Sequence, residues 1–385
     1  MERIAFVTMG DSRDVRAWSG TYFHLAEALE RHFKEVVRIG DFTPVTDLRY
    51  RIRASKARLH GQSDPAYRTL DSAKAFAQQL ENQLKGKKVD AILAHGSRQI
   101  AFFDAPCPVY MLQDCPFGST VGLHVKNASR QCLAESDLIE RQAARHAKAI
   151  IQTSEWAREE AVKHLGVARE KVSVIPLGAN LDTDVTYDTV EEVVDNRGRN
   201  ECRLLFMGVD WDQKGGAIAL EATRILNKEG FPARLTVVGC DVPSDAENEP
   251  WIQSLGFISK GSDQGRRRLQ ELFKDSHLFV LPTRMEAFGI VFCEAASFGV
   301  PSIAPNRMGV PGAAAPGQNA VLVDDCESPA AYAKAIRTAF ENEDGYRSLC
   351  LSSFERYKKE LNWDATCRSI KELMQAHAET GQNAA

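Results

Sequence analysis

The 385-residue sequence has no dominant charge. Its 48 Lys and Arg stand against 52 Asp and Glu, a net charge of −4, so no bulk basic field recruits nucleic acid. Long apolar runs are also missing. A membrane-spanning helix needs about 20 apolar residues, and every apolar stretch here is short and interrupted by polar side chains. The opening Met1-Glu2-Arg3-Ile4-Ala5-Phe6-Val7 reads straight into a strand, without the apolar segment of a signal peptide. The nine Cys form no C-x-x-C pair and no Cys/His ligand cluster, which fits free thiols in a reducing cytoplasm. No G-x-G-x-x-G follows a predicted strand, and the P-loop, G-x-S-x-G and H-E-x-x-H patterns do not occur. Dinucleotide oxidoreductases, P-loop nucleotidases, serine hydrolases and zinc peptidases are thereby disfavoured. What is present is the composition of an average globular chain, 44% hydrophobic and 26% charged, of a length for two or three domains.

Short apolar runs alternate with segments of helical period, the pattern of parallel strands joined by crossover helices. Residues 4–7, 36–39, 91–94, 109–112, 149–151 and 172–175 read as strands, with helices over 20–32, 70–86, 136–147 and 155–165. Ser154 is placed to cap the last of these and Gly166 to end it. Residues 181–200 are polar, acidic and weakly patterned, and read as a linker. A second alternating set follows, with strands at 203–208, 234–238, 277–281 and 320–323. Helices are predicted at 216–228, 289–298, 328–341 and 344–360, and a last one to about residue 377. The fold class is α/β. Residues 1–180 and 201–360 form two Rossmann-like, doubly wound domains facing a central cleft, and 361–385 form a C-terminal helix and tail.

The informative segment is Pro282-Thr283-Arg284-Met285-Glu286-Ala287-Phe288-Gly289-Ile290-Val291-Phe292-Cys293-Glu294-Ala295. A strand ends, Glu286 sits in the turn, and a helix begins near Phe288 and Gly289. Free amides at a helix start, one of them on a glycine, suit an anion. Two carboxylates bracketing such a start suit a ligand with hydroxyls at both ends and phosphate between, as in a nucleotide sugar. The plain alternative has Glu286 capping the helix and Glu294 in solvent.

Glu286 and Glu294, with seven residues between them, resemble the E-x7-E motif of glycosyltransferase family 4, retaining enzymes of the GT-B fold. The resemblance spans nearly the whole chain. Trp18-Ser19-Gly20-Thr21 resembles the family's N-terminal glycine loop, and Lys171 to Asn180 the end of its acceptor domain. Phe206-Met207-Gly208 through Lys214-Gly215 resembles the phosphate loop of its donor domain, and Pro301 to Gly312 the loop after the E-x7-E helix. This resemblance implies a metal-independent, retaining transferase that needs no cofactor beyond its nucleoside-diphosphate sugar, of UDP or GDP type. It implies that Glu294 holds the ribose, and that Glu286, Phe288, Gly289 and Ile290 contact the donor sugar and diphosphate. Lys214 neutralises the departing diphosphate. Gly20 is implied in donor binding, and the base packs near Phe257 in Leu255-Gly256-Phe257-Ile258.

Two positions depart from the pattern. Val209 follows Gly208 where the family usually carries Arg, with Arg13, Arg16 and Arg307 as candidate replacements. The His that often ends the fourth N-terminal strand is absent; the strand runs into Gln113-Asp114-Cys115-Pro116. Asp114, as a hydroxyl acceptor or a turn residue, and His95 in His95-Gly96-Ser97, as a catalytic or a structural residue, are the remaining candidates there.

Arg49 to Arg58 holds five cations and no acid, and Leu48, Ile52 and Leu59 share one helical face. Such a helix is either a peripheral contact for anionic lipid, through residues 48–59, or a solvated face. Arg266-Arg267-Arg268 reads as a solvated flank of a helix, and Trp363 as a structural residue at the final helix. The expected partners are a nucleotide sugar and a carbohydrate, lipid or small-molecule acceptor. The alternatives are a silent GT-B subunit beside an active transferase, a GT-B epimerase, and a phosphorylase, for which no pyridoxal lysine signature is present.

Overall fold

The structure is a computed structural model that describes residues 2–122, 125–181, 183–244, 246 and 249–382. The chain divides into two compact units, Met1–Ile175 with Thr366–Ala385, and Pro176–Ala365.

The first unit is built on six strands: β1 (Arg3–Val7), β2 (Glu35–Ile39), β3 (Ala91–His95), β4 (Val109–Gln113), β5 (Ala149–Gln152) and β6 (Val172–Val174). They form one parallel sheet in the order β2-β1-β3-β4-β5-β6. Helices α1 (Thr21–His32), α2 (Leu48–Leu59), α3 (Leu70–Leu84), α4 (Arg130–His146) and α5 (Glu155–Leu165) supply the connections. β3 and β4 are buried at every residue. A parallel strand covered on both faces needs a continuous apolar run rather than an alternating one, and this is why these two were legible in the sequence. The ends of α5 follow the sequence reading. Ser154 accepts a hydrogen bond from the Ala157 amide, and Gly166 takes the left-handed conformation at φ 66°.

The second unit holds β7 (Cys202–Met207), β8 (Ala233–Val238), β9 (Ile252–Ser254), β10 (Leu278–Val280), β11 (Ser302–Pro305) and β12 (Ala320–Val323). Its parallel order is β12-β11-β10-β7-β8-β9. The helices are α6 (Tyr187–Asn196), α7 (Gly216–Lys228), α8 (Asp263–Asp275), α9 (Ile290–Ala296), α10 (Val310–Ala313), α11 (Pro329–Glu341) and α12 (Glu343–Lys359). A last helix, α13 (Trp363–Gln382), starts in this unit, and its residues from 366 onward belong to the first. There Lys371 Nζ donates to the His32 carbonyl at 2.7 Å and His377 stacks on Tyr110.

Three details differ from the sequence reading. The stretch 181–200, expected to be a linker, contains α6, which Thr186 caps and which buries Val190 and Val194, one turn apart, in contact with α12. The first unit ends at Ile175 rather than at residue 180, because the next residues are tied into the second unit. The Ala179 amide donates to the Leu361 carbonyl at 3.1 Å, and Trp363 Nε1 donates to Asn180 Oδ1 at 3.1 Å. Strand β11 was hidden in the loop after the E-x7-E helix because a proline flanks it at each end. Pro301 and Pro305 sit where the ladder requires only their carbonyls or no bond, and Ser302 and Ile303 between them pair with β10.

Candidate active site

In a doubly wound sheet, loops at the carboxyl ends of the strands open a crevice where the strand order reverses. In the second unit the reversal lies between β7 and β10, and the loops after these two strands carry Lys214 and Glu286. Close backbone packing brings the loops together. Gly215 is left-handed at φ +74°, and a Cβ there would lie 2.0 Å from the Pro282 carbonyl oxygen. The Arg284 amide donates to the Gln213 carbonyl at 2.9 Å. Lys214 Nζ thereby meets Glu286 Oε1 in an ion pair whose side chains are 20% and 16% exposed.

Three residues after Glu286, Gly289 at φ +97° precedes α9. A Cβ at this position would lie 2.6 Å from the Phe292 ring, so the backbone turns tightly and the Gly289 and Ile290 amides fall before any intrahelical partner. Phe288 packs its side chain into the core at 3% exposure, leaving only its backbone for a ligand. Glu294, one turn into α9, is 1% exposed. Its Oε1 pairs with Lys260 Nζ, and among the described residues its Oε2 has no partner. A carboxylate so deeply placed requires a cation.

Lys260 was not singled out in the sequence. It lies in the loop between β9 and α8, where no motif marks it, and only the fold brings it to Glu294. Arg266 helps to hold that loop by donating to the Lys260 carbonyl at 2.8 Å, so the Arg266–Arg268 flank is not wholly solvated. Phe257 lies before Lys260 and projects into solvent, 72% exposed. The cations expected to replace the missing Arg are each engaged with an acid: Arg13 with Asp11, Arg16 with Asp14 and Arg307 with Glu327.

The first unit reverses between β1 and β3. After β1 the backbone passes through three consecutive left-handed residues, Trp18, Ser19 and Gly20, and the last of them precedes α1. This turn sets the Trp18 ring against Tyr22 and edge-on to His95, with centroids 5.9 and 5.7 Å apart. His95 ends β3 and is 4% exposed. Its Nε2 stands 3.8 Å from Asp114 Oδ1, too far for a direct hydrogen bond, and neither atom has a partner. Burial pushes the His95 imidazole below its ordinary range, against the pull of Asp114, so the ring is neutral near pH 7. Burial also pushes the Tyr22 phenol up to about 12. The structure thus pairs Lys214 with Glu286 and Glu294 with Lys260, and sets His95 near Asp114 without a direct bond. Gly20, His95 and Asp114 belong to the first unit and the other named residues to the second.

Two Rossmann-like units, each with polar side chains at its topological switch point, constitute a GT-B transferase architecture. Residues 21–183 match the family profile described as Glycosyltransferase Family 4, and residues 192–352 that described as Glycosyl transferases group 1. The chain belongs to this glycosyltransferase family. It is 29% identical over 279 residues to the D-inositol 3-phosphate glycosyltransferase of Streptomyces avermitilis, covering 66% of this chain and 59% of that protein. The enzyme of the same name from Corynebacterium glutamicum is 24% identical over 251 residues, 61% of this chain and 59% of its own. The chain therefore spans about three fifths of the length of these curated relatives. Among solved structures, sucrose-phosphate synthase from Thermosynechococcus elongatus superposes with a TM-score of 0.68 at 18% identity, covering 99% of this chain and 100% of that one. Anabaena Alr3699/HepE, solved with UDP and glucose, gives 0.64 at 15% identity over 97% of this chain and all of its own.

Proposed function

We propose that this chain is a retaining, metal-independent glycosyltransferase that moves a sugar from a nucleoside-diphosphate donor, of UDP or GDP type, to an acceptor hydroxyl. The observation that carries this reading is the pair of lysine–carboxylate contacts in the second unit, Lys214 with Glu286 and Lys260 with Glu294. Each lysine has its charge met by a carboxylate that a donor can engage in its place.

In this reading Glu294 accepts hydrogen bonds from the ribose hydroxyls, using the oxygen that now has no partner. Lys214 leaves Glu286 for the diphosphate, joined by the Gly289 and Ile290 amides, and Glu286 turns to the donor sugar. Phe257, exposed beside this loop, offers a face to the base. The bond from the anomeric carbon to the phosphate oxygen breaks, and that charge is met by Lys214 and the amides, which are already in place. The acceptor oxygen then bonds to the same face of the anomeric carbon. Its proton passes to the departing phosphate oxygen. His95 and Asp114, in the first unit, hold the acceptor hydroxyl.

The partner surface fits helix α2. Helical spacing places Leu48, Ile52 and Leu59 on one stripe, flanked by Arg49 and Lys56 on one side and by Arg51 and Arg58 on the other. The three apolar residues are 73%, 51% and 84% exposed. Only the fifth cation, Arg53, turns inward, where it pairs with Asp64 and Glu135. This pattern supports peripheral contact with anionic lipid. Among the described residues no helix is long and apolar enough to cross a membrane.

Calorimetric titration with UDP, GDP and ADP, without added metal, tests the donor reading. Micromolar binding of UDP or GDP, with turnover of the matching sugar nucleotide, is expected. Binding of none of the three, or binding without any turnover, sinks it and favours a silent subunit.

A further inference from the structure

The donor reading gives Glu294 a ligand but leaves Lys260 without one. Its Nζ meets Glu294 Oε1, yet an ammonium carries three N–H groups. Among the described residues no second acceptor takes either of the others. Glu294 is buried and Lys260 only partly, so the ammonium is not sealed in with the carboxylate it holds.

The loop that carries Lys260 is fixed on both sides. Where it leaves β9, the Gly256 carbonyl accepts from the Gly239 amide at 2.8 Å. Where it enters α8, the Lys260 carbonyl accepts from Arg266 Nη1 at 2.8 Å, and the Ser262 hydroxyl caps the helix through the Gly265 amide. Between these, the Gly261 amide donates to Ser259 Oγ at 3.2 Å. The stem of Lys260 thus starts from a tied backbone and ends on Glu294.

The covalent geometry of a nucleoside then sets what that ammonium meets. The diphosphate leaves ribose from the 5′ carbon, toward Lys214 and the Gly289 and Ile290 amides. The base leaves from C1′, across the ring and next to the 2′-hydroxyl. Strand order runs the same way: Lys214 follows β7, whereas the Lys260 loop follows β9, beyond β8. The base edge beside the 2′-hydroxyl is the edge that faces the minor groove of a double helix. There a pyrimidine presents its O2 oxygen, an acceptor, whereas guanine adds a 2-amino donor beside N3. We propose that Lys260 selects the base of the donor: bound to the carboxylate that holds the ribose, its ammonium donates to O2 of a pyrimidine and turns guanine away. This rests on the donor reading of Glu294 and narrows it from UDP or GDP type to a pyrimidine nucleoside diphosphate. The rejection needs no steric clash, only an ammonium and an amine set donor against donor.

The test is calorimetric titration of the full chain with paired ligands, using competition against UDP for the weak ones. GDP is compared with IDP, which lacks only the 2-amino group. The second pair is 2-thio-UDP and 4-thio-UDP, since sulfur is a weaker acceptor than oxygen and only the first carries it at the edge in question. GDP is expected to bind at least about tenfold more weakly than IDP, and 2-thio-UDP about tenfold more weakly than 4-thio-UDP, the scale of one hydrogen bond to a charged group. Lys260→Gln keeps a nitrogen that donates to Glu294 and adds an oxygen that accepts from the amine, so it should bring GDP level with IDP. A GDP-to-IDP ratio unchanged in that variant overturns the assignment to Lys260. IDP binding no better than GDP, or level affinities of the two thio ligands, overturns base selection and leaves the donor reading standing as long as UDP binds. Absence of UDP binding removes the donor reading and the selection with it. Both ligand comparisons use the unaltered protein, so they decide the question even where the variant folds poorly.

Discussion

Replacing Lys260 by Met removes the only cation that, among the described residues, pairs with Glu294, while keeping most of the stem's packing. The consequences are asymmetric because the exposures are: Glu294 is 1% exposed and Lys260 30%. Without Lys260, both carboxylate oxygens are buried and unpartnered, a situation that costs about 3–5 kcal/mol when one member of a buried pair is removed. Without the charge on Glu294, Lys260 can turn to water, so Glu294→Gln should cost only about 1 kcal/mol. The double variant should recover most of what Lys260→Met loses, a coupling of about 2 kcal/mol or more in a double-mutant cycle. Urea unfolding of the four proteins near pH 7 measures this. The same proteins report on function. Losing hydrogen bonds to a charged group is worth about 1.5–3 kcal/mol, so UDP affinity should fall about tenfold or more in Glu294→Gln. Unfolding of Lys260→Met within about 0.5 kcal/mol of wild type would refute the reasoning, since the buried carboxylate would then have another partner.

Lys214→Ala should lower turnover by about two to three orders of magnitude, the usual loss when a preorganised transition-state donor is removed. Its melting temperature should barely move, and single-turnover kinetics beside calorimetry would check both. Chelation with EDTA should leave initial rates unchanged; a loss restored by a divalent ion would contradict metal independence. His277 offers a pH test. It is buried, accepts from the Arg203 amide at 2.9 Å through Nδ1 and faces the Gly198 carbonyl through Nε2, and burial with nearby arginines depresses its pKa to about 3. Its folded value lies below its unfolded value of about 6.5, so its contribution is present above pH 6.5 and is lost progressively toward pH 3, about 5 kcal/mol at most. Urea unfolding across that window should show a flatter acid limb in His277→Gln than in wild type. Leu48→Ser with Ile52→Ser should abolish sedimentation with anionic vesicles while sparing UDP affinity.

Local patterns were legible wherever one residue type had one physical job. Continuous apolar runs marked β3 and β4, Ser154 and Gly166 marked the ends of α5, and two glutamates with seven residues between them marked α9 and its turn. The composition of 48–59 marked α2, including the exposed stripe of Leu48, Ile52 and Leu59. That Lys214 and Glu286 serve one site was implied by the resemblance to glycosyltransferase family 4, not by any local pattern. The sequence did not separate Arg53 from its neighbours, since the acids that claim it, Asp64 and Glu135, are 11 and 82 positions away. Strand β11 escaped because its signal is three residues between prolines, and its identity comes from the strands on either side.

By itself the sequence determined the two α/β halves, the helix starts and stops, and the glycines at which the backbone must turn. These depend on periodicity and on neighbours a few residues away. Only the tertiary structure decided which charges meet. Lys260 reaches Glu294 across 34 positions, Lys214 reaches Glu286 across 72, and Arg53 reaches Glu135 across 82. Charges act through distance and desolvation, and both are set by strand order rather than by chain order.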